Sequence, residues 1–120
     1  MSDQANPTTN ANSLDLDWEH LHEISDGDAD FEIELLQMFV EDAQTHIDAV
    51  KEAVEQNDWQ TLGREAHHLK GASANVGAKP MQLAAEKLEQ MVRQQQEGFS
   101  DVLLNLEAFI HQIEAFLNSK

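Results

Sequence analysis

The sequence predicts an all-α protein, an antiparallel up-down-up-down four-helix bundle with a short additional N-terminal helix. Three observations carry this. Apolar residues recur at spacings of three and four in four successive segments, the pattern of a helix with one buried stripe. No segment sustains an alternation of apolar and polar residues, so strands are not expected. The stretches between the periodic segments are short, which favours antiparallel neighbours. The chain has 120 residues and no internal repeat, a length suited to one domain with a single core.

Residues 1–13 are polar, rich in Asn and Thr, and contain Pro7; they read as a disordered tail, with the bundle domain spanning 14–120. A short helix follows, with Leu14, Trp18, Leu21 and Ile24 on one face. Ser25-Asp26-Gly27-Asp28 is both a turn and a helix start. A long helix is expected from about 29 to 56, with Phe31, Leu35, Met38, Phe39, Ala43, Ile47, Val50 and Val54 as its buried stripe. Asn57-Asp58 breaks it, and Asp58 can cap the next helix. That third helix begins near Trp59 and carries Trp59, Leu62, Ala66, Leu69, Ser73 and Val76 toward the core. Gly77-Ala78-Lys79-Pro80 ends it, and Pro80 suits the first turn of a fourth helix. There Met81, Ala84, Leu88 and Met91 form the apolar line, with Ala85 and Val92 beside it. Gly98 reads as its stop and Ser100 as the cap of a fifth helix, whose buried side is Leu103, Leu106, Ile110, Ile113 and Leu117.

Charge divides the chain. Residues 1–58 hold sixteen Asp and Glu against Lys51 alone, a net of −15, whereas residues 59–120 hold seven acids against six bases. The acidic first half repels nucleic acid and anionic lipid, so neither is an expected partner; it also serves plain solubility. No apolar run approaches the roughly 20 residues needed to cross a bilayer, and the N-terminus lacks the basic-then-apolar pattern of a signal peptide. The expected location is the cytoplasm. With no cysteine, disulfides and thiolate metal sites are excluded.

The chemistry concentrates in Ala66-His67-His68-Leu69-Lys70-Gly71 and the small residues that follow. A helix turns about 100° per residue, so Gly63, Gly71, Ala74 and Ala78 fall within roughly 40° of His67. Lys70 lies about 60° to one side and Arg64 about 60° to the other. His67 therefore stands at the border of the core on a strip of glycine and alanine. Glycine inside a helix costs about 1 kcal/mol relative to alanine. The two glycines flanking His67 serve either access for an incoming protein surface or close helix packing; the core stripe runs elsewhere on the helix, which favours access. Lys70 is three residues on, so its ammonium can reach the space occupied by the imidazole and hold phosphoryl oxygens; alone, it reads equally as a solvated lysine. Glu89 lies at the edge of the fourth helix's buried stripe. If that helix packs on the third, its carboxylate can accept a hydrogen bond from Nδ1–H of His67 and leave Nε2 outward as a nucleophile; otherwise it is a surface glutamate.

The run Ala-His-x-Leu-Lys-Gly, followed by small residues and then Gly77-Ala78, resembles the signature of histidine-containing phosphotransfer (HPt) domains. The resemblance covers roughly residues 15–118, including the short first helix, the long second one and the motif on the third. It implies that His67 is the phosphoacceptor through Nε2, that Lys70 stabilises the phosphoryl group, that Gly71 leaves room for the partner and that Glu89 orients the ring. Gly63, Arg64, Gly71, Ala74 and Ala78 then form the partner-binding strip. The implied partners are response-regulator receiver domains and a hybrid sensor histidine kinase; the implied role is a phosphorelay intermediate without autonomous enzymatic activity. The Mg²⁺ for that chemistry belongs to the receiver, so neither cofactor nor metal is expected. A monomer is expected, because the motif face must stay open. His68 takes the family's variable position, about 100° around the helix from His67, and is expected to be exposed and inert.

Two other readings differ in kind. Glu19/His22 and Asp42/His46 have helical metal-ligand spacing, but they lie on different helices without the symmetric set of a two-metal bundle. The bundle also reads as a non-catalytic docking module for signalling proteins, in which changing His67 leaves function intact. No nucleophile–base–acid set or cofactor fingerprint points to an independent enzyme.

Overall fold

A computed structural model describes residues 15–119; the expected tail at 1–13, Leu14 and Lys120 lie outside them. Five helices and no strand are present among the described residues: α1 (Trp18–Ile24), α2 (Ala29–Gln56), α3 (Trp59–Val76), α4 (Lys79–Arg93) and α5 (Ser100–Asn118). Helices α2 to α5 form the bundle, each packed on the next, and α5 closes the ring on α2. Leu62 and Leu69 of α3, Met81 and Leu88 of α4, and Leu106, Ile110 and Ile113 of α5 meet Ile47 and Val50 of α2 in one fully buried core.

Aspartates start three of the helices. Asp17, Asp28 and Asp58 each accept a hydrogen bond from a backbone N–H of the first turn, satisfying a donor that the helix leaves unpaired. Asp58 also accepts from Thr61 Oγ1 at 2.7 Å, and the two Thr61 donors hold its carboxyl below the usual range. Helix α2 stops at Asn57, which takes the left-handed conformation at φ 54°.

Two expected boundaries are corrected. Helix α4 ends at Arg93, not at Gly98. Met91 is its last buried side chain, and Gln94-Gln95-Gln96 offers the core nothing to hold the helix down. Ser100 does not cap α5 either. Phe99 occupies that position without a side-chain cap hydrogen bond; its buried ring lies 5.7 Å from Trp59, so an apolar anchor starts the helix.

The stripe of α2 is also corrected. Phe31 and Met38 are exposed, whereas Leu36 and Val40 are buried. Running the Leu36–Phe39–Ala43 line back one turn reaches Glu32, a buried carboxylate that pattern reading does not count as core. Glu32 accepts from Ser25 Oγ at 3.0 Å and pairs with His22 Nδ1, which satisfies it. On α4 and α5, Ala85, Val102 and Phe109 take core positions, and Ala84, Leu103 and Leu117 sit half-buried at the edge.

Helix α1 ties one end of the bundle together. His20 Nε2 donates to the carbonyl of Asn75 at 2.8 Å, the backbone N–H of Asp17 donates to the carbonyl of Gly77 at 2.8 Å, and Trp18 lies 5.3 Å from Phe116. Gly77 ends α3 in the left-handed region at φ 75°, and a Cβ there would stand 2.8 Å from Asp17 Cβ. Gly77→Ala should therefore lose about 2 kcal/mol or more, from the left-handed backbone and the clash together. Ser73 is fully buried on α3, and its Oγ makes no hydrogen bond among the described residues. Ser73→Ala should raise stability by about 1 kcal/mol, because it removes an uncompensated buried hydroxyl. Urea unfolding midpoints of the two variants, moving in opposite directions, check both.

Candidate functional site

His67 sits midway along α3, between Ala66, which is fully buried, and His68. The helix turns its side chain out, and 73% of it is exposed. Helix α4 runs back beside α3 after the Gly77 turn and sets Glu89 opposite. Glu89 follows buried Leu88, so its carboxylate lies at the rim of the core with 17% of the side chain exposed.

One carboxylate serves two partners. His67 Nδ1 lies 3.1 Å from Glu89 Oε2, and Lys70 Nζ donates to Glu89 Oε1 at 2.8 Å. The Lys70 ammonium, and to a lesser degree His67, hold the Glu89 carboxyl below the usual range against the opposing effect of burial. The ionised carboxylate can only accept hydrogen bonds, so Nδ1 of His67 carries the proton in their contact. In the neutral ring the lone pair is then on Nε2, the nitrogen not bound by Glu89. Lys70 offers three N–H donors and uses one on Glu89. The three residues singled out in the sequence are thus in one hydrogen-bonded group across two helices.

The small-residue strip divides. Gly71 and Ala74 are exposed, and a Cβ at Gly71 would meet nothing within 4 Å. Gly63 is half-buried, and its Cβ would stand 3.6 Å from Val92 Cγ1, so helix packing accounts for part of it. Arg64 is exposed and donates from Nη2 to Thr61 Oγ1 at 3.2 Å. Ala78 leaves the strip altogether. Its assignment assumed a helix continuing past Val76, whereas Gly77 turns the chain and Ala78 is fully buried at the start of α4.

His68 is exposed, as expected, but it has partners. Its Nε2 donates to Asp42 Oδ2 at 2.8 Å, and its ring stacks on His46 at 3.7 Å between centroids. His46 in turn pairs through Nδ1 with Glu65 of α3. The i, i+4 spacing of Asp42 and His46 was legible in the sequence, but nothing in it joined that pair to His68 on another helix. A groove between α4 and α5, lined by Pro80, Leu83, Lys87, Val102 and Phe109, does not include His67.

The pairing of Lys70 with Glu89 has a pH consequence. The folded-state pKa of Glu89 is depressed, so the unfolded chain binds this proton more readily than the folded one. The stability it contributes is present above the ordinary glutamate range and is lost as pH falls through the folded value. Lys70→Met should move the Glu89 titration upward, as followed by carboxyl-carbon NMR, and shift this acid loss of stability to higher pH.

The sequence profile of the Hpt domain matches residues 34–117, more than half of the chain. The fold is similar to the crystal structure of histidine-containing phosphotransfer protein B (HptB) from Pseudomonas aeruginosa PAO1, with a TM-score of 0.79 and 24% identity over 88% of this chain and 92% of that one. It is also similar to the HPT domain of a sensor hybrid histidine kinase from Shewanella, with a TM-score of 0.68 and 21% identity over 88% and 92% of the two chains. No curated protein gives a significant match. The profile match takes in most of α2, all of α3 with its His67 motif, α4 and nearly all of α5, and the chain belongs to the Hpt domain family, the histidine phosphotransfer modules of phosphorelays.

Proposed function

We propose that this protein is a phosphorelay intermediate that accepts a phosphoryl group on His67 Nε2 from a receiver-domain aspartate and passes it to another receiver. The observation that carries the reading is the contact of Glu89 with His67 Nδ1 beneath an exposed imidazole. The Nε2 lone pair forms the N–P bond as the aspartyl O–P bond breaks, and the aspartate carboxylate leaves. The ring then bears positive charge shared with Nδ1–H, which faces the Glu89 carboxylate. Lys70 is anchored by Glu89 and keeps donors for the phosphoryl oxygens. This chain supplies positioning and charge, which suits a transfer with little covalent chemistry of its own and no autonomous enzymatic activity.

Docking is over the strip of His67, Gly71 and Ala74, with Gly63 and Arg64 at its margin; open space at Gly71 supports it. The donor is a hybrid sensor histidine kinase's receiver, and Mg²⁺ comes with the receivers. The protein acts as a monomer in the cytoplasm; among the described residues no helix is long and apolar enough to cross a membrane. The bundle domain extends over residues 14–120.

The test is phosphotransfer from a panel of labelled, phosphorylated receivers to the wild type, His67→Gln and His68→Gln. Acid-labile, alkali-stable label is expected on the wild type and the His68 variant and not on the His67 variant. Lys70→Ala should slow transfer without abolishing it, and Glu89→Ala should lower the phosphorylated fraction of His67. No label from any receiver, together with binding that survives His67→Gln, would replace this reading with a non-catalytic docking module.

A further inference from the structure

Asp42 and His46 lie one turn apart on α2, and His68 and Glu65 lie one turn apart on α3. Helix packing brings all four together on a face of the bundle separate from the Glu89 contact. The Asp42 carboxylate stands between two imidazoles, with Oδ2 at 2.8 Å from His68 Nε2 and Oδ1 at 3.4 Å from His46 Nε2. One ligand atom from each of Asp42, His46 and His68 lies within 4.8 Å of the others.

The tautomer of His46 makes this more than proximity. Its Nδ1 faces Glu65, an acceptor, so Nδ1 carries the proton and the lone pair of the neutral ring is on Nε2. That lone pair faces a carboxylate oxygen at 3.4 Å, and two acceptors cannot hydrogen-bond to each other. A cation between them satisfies both atoms. The Glu65–His46 pairing is also the arrangement in which a carboxylate orients a histidine whose other nitrogen binds a metal.

We infer that Asp42, His46 and His68 bind a divalent transition-metal ion, Zn²⁺ being the representative case, with Glu65 positioning His46. Ligand atoms around Zn²⁺ at bond lengths of about 2.0–2.2 Å stand roughly 3–3.5 Å apart, close to the 2.8 and 3.4 Å that separate Asp42 from the two imidazoles. On binding the two stacked rings splay, which the half-exposed His68 side chain permits, and His68 gives up the Nε2 proton it donates to Asp42 so that this nitrogen can ligate the ion. Two imidazoles and one carboxylate select a borderline ion such as Zn²⁺, Ni²⁺ or Cu²⁺ over Mg²⁺. Solvent takes the remaining position, since Asp42 and His68 are on the surface. The ion cross-links α2 to α3 beside the His67 motif, and the inference does not depend on phosphotransfer.

The experiment titrates the EDTA-treated full chain with ZnCl₂, using calorimetry for affinity and imidazole NMR for location. One Zn²⁺ per chain is expected, with ring signals of His46 and His68 shifting and Mg²⁺ producing no such shift. H46Q and H68Q should each weaken binding about tenfold or more, and E65Q by about tenfold while keeping all three ligands. H111Q, on exposed α5 surface, should leave the affinity unchanged. H68Q also guards against misfolding, because that side chain is 44% exposed. No binding at millimolar Zn²⁺, or an affinity unchanged by either H46Q or H68Q, overturns the site.

Discussion

The return of α4 along α3 is the constraint on which the site depends. His67 and Lys70 are local to one helix, but the carboxylate that holds both comes from a residue nineteen and more positions away. Gly77 makes the return possible by taking a backbone conformation and a closeness to Asp17 that a side chain would forbid. The same residue accepts the N–H of Asp17, so the turn that delivers Glu89 is also the point where α1 is fastened. Burial of Leu69 on α3 and of Leu88 and Met81 on α4 in the common core then sets the rotation of the two helices. With those side chains inward, His67 is out and Glu89 is at the rim.

Burial is graded across the Glu89 group in a chemically useful order. The imidazole is mostly in solvent, Lys70 is about one-third exposed, and the carboxylate is largely covered. An acceptor at the base of the group is screened least by water, so it directs the Nδ1 proton firmly, while the opposite ring edge remains open. Lys70 keeps the largely covered carboxylate ionised. Without a cation, burial alone would push that group toward its neutral form, which no longer acts only as an acceptor.

Polar pairs across helices recur away from this group. Glu32 with Ser25 and His22 fastens α1 to α2, and Glu65, His46, Asp42 and His68 line the α2–α3 seam. Histidines explain much of this. Each imidazole has two opposed nitrogens and can bridge an acid on its own helix to one on a neighbour. The acidic first half of the chain, which by charge alone looks like a solubility device, supplies Asp42 and Glu32 to these bridges.

The sequence by itself determined the helical class, the bounds of α2 and α3, the helix starts at Asp28 and Asp58 and the residues of the His67 motif. These are local: periodicity, a cap three residues before its donor, and side chains on one helix all lie within a few residues. It also pointed to Glu89, because the edge of a buried stripe is a local property. Only the tertiary structure decided that Glu32 is core and Phe31 and Met38 are not, since hydropathy cannot mark a carboxylate satisfied by His22 and Ser25. It took Ala78 off the motif face, because one left-handed glycine ends the helical projection. It also joined His68 to His46 and Asp42, a meeting between residues more than twenty positions apart that depends on how α2 and α3 are rotated against each other.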